Sequence, residues 1–117
     1  TTILLDRMAG LADRVCDCAR VPLLDQEQIE TYLALVPQWI VSQAKPQKLE
    51  RKYKTVDFKS ALLLAGQIGE IAESINHHPD LTVSYGQLVV QIFTHSKGGL
   101  TEADFILAAK IDRLSVP

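Results

Sequence analysis

A chain of 117 residues fits one domain, with a core able to bury roughly two-thirds of the surface that its unfolded form would expose. Apolar residues at 47% and charged residues at 22% suit a globular protein and exclude a disordered or fibrous one. A formal net charge of -2 excludes nucleic-acid binding driven by bulk charge, so no direct nucleic-acid partner is expected.

From Ile3 to about Arg20, Leu4, Leu5, Met8, Leu11, Ala12, Val15 and Ala19 recur at helical spacing, with Asp6, Arg7, Asp13 and Arg14 between them. This predicts an amphipathic N-terminal helix. Cys16 and Cys18 are one residue apart, a spacing that disfavours a mutual disulfide and falls short of C-x-x-C, so they read as free thiols of a reducing compartment. The opening TTILLD lacks the order of a secretory signal, and no stretch approaches the length of a membrane span. Cytoplasmic location without a membrane partner is the expectation.

After a turn at Pro22, Asp25 is placed to cap a second helix, with Glu27 in its first turn and Ile29, Tyr32, Leu33 and Val36 as its apolar stripe until Pro37. Two extended runs follow, WIVSQA from Trp39 and LERKYKTV from Leu49, with a turn at Lys45 and Pro46. The second puts Leu49, Arg51, Tyr53 and Thr55 on one side and Glu50, Lys52 and Lys54 on the other. Its lysines read as those of a solvated edge strand rather than of an anion-binding surface.

Asp57 opens the clearest helix, in which Phe58, Ala61, Leu62, Ala65, Ile68, Ala72 and Ile75 keep a 3.6-residue period up to a stop at Pro79. Gly66 and Gly69 inside it each cost roughly 1 kcal/mol against Ala, which close packing against a neighbour would explain. LTVSY and LVVQIFTH then form a hairpin through Gly86 and Gln87, and Thr101, with Glu102 and Asp104, opens a last helix. The order after the first helix is α-β-β-α-β-β-α. This is an α+β pattern, with helices on one face of a sheet whose other face meets solvent or another subunit.

All three histidines fall between His77 and His95. Imidazoles donate and accept protons near neutral pH, which makes the three a candidate catalytic group. The alternatives are imidazolium at a helix C-terminus for His77 and His78, a structural role for His95, and a zinc site. Adjacent residues are poorly placed to ligate one metal from a helix, where spacings such as i and i+4 are usual, so no metal is expected.

The ordered set Glu73, His77-His78-Pro79, Tyr85, Thr94-His95 and Asp104 resembles the pterin-4a-carbinolamine dehydratases at the family spacing. The resemblance extends upstream through Trp39 and LERKYKTVDF, and it divides the chain into an N-terminal helical extension, 1–22, and a dehydratase-like domain, 23–117. It implies a four-stranded antiparallel sheet with helices on one face, assembly as a homodimer or homotetramer, and no cofactor. The implied reaction is dehydration of a 4a-hydroxytetrahydropterin to the quinonoid dihydropterin. His77, His78 and His95 would share the acid, base and pterin-orienting roles, and Glu73, Pro79, Tyr85, Thr94 and Asp104 would line or support the substrate site.

Leu81 stands where many relatives carry Trp, and the N-terminal helix is an addition to the minimal family pattern. Both features suit a second reading: a non-catalytic dehydratase-like binding protein, such as a Rubisco assembly factor and chaperone associated with the alpha-carboxysome.

Overall fold

In the computed structural model the described residues are 11–12, 21–42 and 44–114. Leu11 and Ala12 are helical and buried in the core, so at this point the N-terminal segment packs on its own domain. The rest of the expected N-terminal helix, with Cys16 and Cys18, lies outside the described residues.

Helix α1 (Gln26–Leu33) begins at Asp25, whose carboxylate accepts the Gln28 backbone N–H at 2.8 Å while the Gln28 side chain accepts the Asp25 N–H at 3.0 Å. Two N-terminal amides without helical partners are thereby satisfied reciprocally. Ile29 carries its buried face, and beyond the helix Val36 and Trp39 enter the core.

Strand β1 (Ile40–Val41) is shorter than the extended run expected from Trp39. Its ladder with β2 (Leu49–Lys54) is followed only by the Ser42 N–H to the Lys48 carbonyl, at 2.8 Å, before the chain turns through Lys45 and Pro46. Period two governs β2 as expected: Leu49 and Tyr53 are buried, Arg51 is half-buried beside them, and Lys52 and Lys54 are exposed.

Helix α2 (Phe58–Ile75) starts at Asp57, which accepts the Ser60 N–H at 2.8 Å. Its Ala61, Leu64, Ala65, Ile68 and Ala72 face the core. At Gly66 and Gly69 an added Cβ would meet nothing within 4 Å, so packing inside the described fold does not account for either glycine.

Strands β3 (Asp80–Ser84) and β4 (Gln87–Ile92) are joined by Tyr85 and Gly86; Gly86 holds a φ of 76°, where a side chain would be strained. The sheet runs β1-β2-β4-β3, antiparallel throughout, so β2 is not the expected edge strand: it pairs with β1 on one side and β4 on the other, and its lysines meet solvent on the sheet's outer face. Register puts Leu49 opposite Ile92, Arg51 and Leu81 opposite Val90, and Tyr53 and Val83 opposite Leu88. That face packs under the helices. The other carries Glu50, Lys52, Lys54, Gln91, Thr82 and Ser84, with Gln91 Nε2 donating to Glu50 Oε1 at 2.8 Å.

Helix α3 (Glu102–Asp112) is buried from Ala103 through Ala109 and packs against α1, α2 and β2. At its C-terminal end Asp112 Oδ1 accepts Trp39 Nε1–H at 2.8 Å and Arg51 Nη1–H at 2.6 Å, fastening the β1–β2 edge to the helix. Burial pushes the Asp112 carboxyl above its ordinary range, against the opposing pull of Trp39 and Arg51.

The described residues therefore form an α+β fold with three helices on a four-stranded antiparallel sheet. None of their helices is long and apolar enough to cross a membrane.

Candidate functional site

The site forms where α2 ends, β4 ends and α3 begins. The expected helix stop at Pro79 is in fact set three residues earlier. Asn76 takes a left-handed conformation, φ 53° and ψ 43°, and the His77 N–H closes on the Ala72 carbonyl at 3.1 Å while the Asn76 N–H reaches Glu73 at 3.3 Å. This is a Schellman ending, and Asn tolerates the left-handed region better than most side chains. It turns His77 and His78 out of the helix before β3 starts at Asp80.

The two neighbours thereby reach different surroundings. His77 is buried, and its Nε2 lies 2.6 Å from Asp104 Oδ1. Asp104 is 0% exposed and holds its other oxygen, Oδ2, against the Thr101 N–H at 2.8 Å and the Thr94 hydroxyl at 3.0 Å. Thr94 gives its proton to Asp104, so in the 2.8 Å contact between the two threonine hydroxyls Thr101 is the donor. Three donors thus converge on one carboxylate. With Asp104 accepting at Nε2–H, the lone pair of His77 falls on Nδ1.

His77 Nδ1 makes no hydrogen bond, yet the Tyr53 hydroxyl is the one fully buried side-chain N or O atom without a partner among the described residues. Nδ1 therefore reaches the surface. His78 is more open, with its side chain 55% exposed and its Nε2 against the Glu73 carboxylate, itself 75% exposed. The site thus holds one imidazole fixed from below and one paired at the rim.

His95 was expected on a strand running through Thr94. The strand instead ends at Ile92, because Thr94 bonds across to Gly99, its N–H to the Gly99 carbonyl at 2.9 Å, and His95–Lys97 form one 3₁₀ turn closed by Gly98 at φ 69°. His95 is exposed and its ring lies 4.0 Å from that of Phe93. It follows Thr94 directly, which ties it to the same Asp104 carboxylate.

Hydrogen bonds thus join His77, Asp104, Thr94 and Thr101 in one group and His78 with Glu73 in another, while His95 adjoins the first through Thr94 in the chain. Thr94 and Asp104, expected to bind substrate, are buried, with Asp104 bonded to His77 and to Thr94. Pro79 follows the pair and is half-buried. Tyr85 is not brought in: it sits 79% exposed in the β3–β4 turn, at the opposite end of a five-residue strand, about 16 Å long at 3.3 Å per residue.

Thr101 and Asn76 were missed as site residues. Thr101 was read as a helix cap alone, and Asn immediately before His-His-Pro was the available sign of a left-handed ending. Leu81 packs against the core, opposite Val90. Among the described residues no group of three or more His, Cys, Asp or Glu side chains is placed to hold a metal ion.

A family model described as Pterin 4 alpha carbinolamine dehydratase matches residues 22–114. A Rickettsia bellii protein provisionally named pterin-4-alpha-carbinolamine dehydratase is 46% identical over 108 residues, covering 90% of this chain and 94% of its own. A Rubrobacter xylanophilus protein of the same provisional name is 38% identical over 109 residues, covering 92% of this chain and 100% of its own. Among solved structures, a transcriptional coactivator/pterin dehydratase from Brucella melitensis superposes with a TM-score of 0.70 at 28% identity, covering 77% of this chain and 95% of its own.

Proposed function

We propose that this chain, which belongs to the pterin 4 alpha carbinolamine dehydratase family, catalyses the dehydration of a 4a-hydroxytetrahydropterin. The observation that carries the reading is the His77–Asp104 contact at 2.6 Å, set in the buried Thr94–Thr101 frame with His78 and Glu73 at its rim. Loss of water requires a proton for the departing hydroxyl and removal of a proton from the ring nitrogen, as the C4a–O bond breaks and a carbon–nitrogen double bond forms. A protonated imidazole supplies the first and a neutral one accepts the second.

His77, with its Nε2–H held by Asp104, presents Nδ1 as acceptor. His78, whose Nε2 meets the Glu73 carboxylate at the open rim, is placed to pass a proton to the departing hydroxyl. His95 completes the group as the pterin-orienting imidazole. In this assignment Glu73 supports His78, while Thr94 and Asp104 support His77. Stopped-flow dehydration of 4a-hydroxytetrahydropterin tests it: purified protein should exceed the uncatalysed rate and His78→Ala should lose most of that excess. A wild-type rate equal to background overturns the proposal.

A binding role is the second reading, favoured by the exposed apolar side chains Val56, Phe58, Leu62 and Leu63. As a Rubisco assembly factor associated with carboxysomes, the chain would raise the yield of soluble, assembled Rubisco on co-expression, and no increase removes that version. Assembly into homodimers or homotetramers is part of both readings.

A further inference from the structure

Outside the buried Asp104 frame, one feature bears directly on the exposed histidine. Lys48 and Phe93 lie one residue beyond the Leu49–Ile92 pair that ends the β2–β4 ladder. Both are half-buried, and Phe93 packs against the edge of the core. There Lys48 Nζ lies 5.0 Å from the Phe93 ring centroid, and the Phe93 ring lies 4.0 Å from that of His95 at an interplanar angle of 42°. The three side chains form a stack of cation, benzene ring and imidazole.

His95 needs such support because it stands on a single 3₁₀ turn in an exposed position, with the Phe93 ring as its aromatic neighbour. His77 has Asp104 and His78 has Glu73. A catalytic imidazole left to rotate in solvent would spend most of its time out of productive geometry, and a displacement of about 1 Å can cost about 10²-fold in rate. A tilted aromatic contact restricts the imidazole, and a cation over the aromatic face holds that face in place.

We propose that Phe93 is a positioning residue for His95 and that Lys48 acts through Phe93 to keep it there. The inference rests on the dehydratase reading above. Phe93 supports the His95 imidazole, while Asp104 supports that of His77. The three histidines are thus ordered by three different devices: a buried carboxylate, a rim carboxylate and an aromatic stack.

The test compares Phe93→Ala, Phe93→Tyr and Lys48→Met with wild type by dehydration kinetics and by the imidazole proton resonances of His95. Phe93→Ala should lower kcat about tenfold with KM within twofold, Phe93→Tyr should restore it, and Lys48→Met should lower it by a smaller factor. The ring-current shift of His95 should be present in wild type and Phe93→Tyr and lost in Phe93→Ala.

An unchanged kcat in Phe93→Ala overturns the inference, and so does a change confined to KM, which would make Phe93 a wall of the ligand site. Should Phe93→Ala fail to fold, an unchanged kcat and an unmoved His95 resonance in Lys48→Met overturn it. Wild-type protein without dehydration above background overturns the underlying reading instead, a result distinct from an active wild type with an active Phe93→Ala variant.

Discussion

Asp104 holds three donors within a fully buried frame, and its exchange for Asn alters one atom while keeping the shape. The new amide cannot accept from both His77 Nε2–H and the Thr101 and Thr94 donors, so His77 loses its fixed orientation. Asp104→Asn is expected to lower kcat by about 10²-fold, the cost of a catalytic group displaced by about 1 Å, with the far-UV circular dichroism unchanged. Steady-state kinetics check it, and a kcat within twofold of wild type would remove Asp104 from the positioning role. Tyr53 makes the opposite case. Its hydroxyl is buried without a partner, and burial pushes its pKa up to about 12, with nearby Arg51 opposing. Between about pH 10 and 12 the unfolded chain binds fewer protons at this tyrosine than the folded one, so stability falls as pH rises through that window. Tyr53→Phe should remove this alkaline loss and raise stability at neutral pH by about 1 kcal/mol, because an unsatisfied hydroxyl is taken out of the core. Urea unfolding at pH 7 and pH 11 decides it.

Helix α2 and strand β4 carry the site on their ends, so the manner in which each ends matters more than its length. Asn76 is the one non-glycine residue with positive φ among the described residues, and it aims His77 and His78. Asn76→Ala should cost about 1 kcal/mol for forcing an alanine into the left-handed region, and should lower kcat as well because both histidines follow it. Asn76→Gly should keep stability and activity, since glycine adopts this conformation freely. Thermal melts and kinetics on the pair separate a conformational role from a side-chain one, and equal loss in both variants would contradict the account. The elements themselves were legible in the sequence, because the helical period across Phe58–Ile75 and the alternation from Leu49 to Lys54 mark their type, although Phe58 and Leu62 of the expected stripe stand exposed and Leu64 enters the core instead. Their endings were less legible. Pro79 was the visible helix stop, but the Schellman closure acts at Asn76, and the strand expected to reach His95 ends at Ile92 because the Thr94–Gly99 bridge takes over. The residues by themselves single out only His77, His78 and His95; Glu73, Thr94 and Asp104 join them through the resemblance to the dehydratase family. That Asp104 lies buried against His77 is a consequence of three-dimensional packing that no spacing encodes, whereas the expected hairpin turn at Gly86 already set Tyr85 at the far end from the histidine pair.

The whole molecule leaves one helix face unexplained. On α2, Phe58, Leu62 and Gly66 recur every four residues, with Leu63 alongside; Leu62 is 54% and Leu63 61% exposed. Four-residue spacing lines them along one side of the helix. Gly66 and Gly69 have no neighbour within 4 Å of an added Cβ, so each weakens the helix by roughly 1 kcal/mol with no return inside the described fold. Close approach of a second copy of the helix would account for both observations, since small residues let backbones come together and the aliphatic side chains lose water at the contact. Light scattering at micromolar concentration should accordingly give a mass above the 13.0 kDa of one chain, and Leu62→Glu should return it to that of the monomer with secondary structure intact. In the Leu62→Glu background, Gly66→Ala should raise unfolding free energy by about 1 kcal/mol, the ordinary gain of replacing helical glycine. In the wild-type background the same substitution should gain less or destabilise, because the new methyl group enters the contact between helices. A wild-type mass of one chain, or an equal gain from Gly66→Ala in both backgrounds, rules out self-association through this face and leaves the apolar stripe to a different partner.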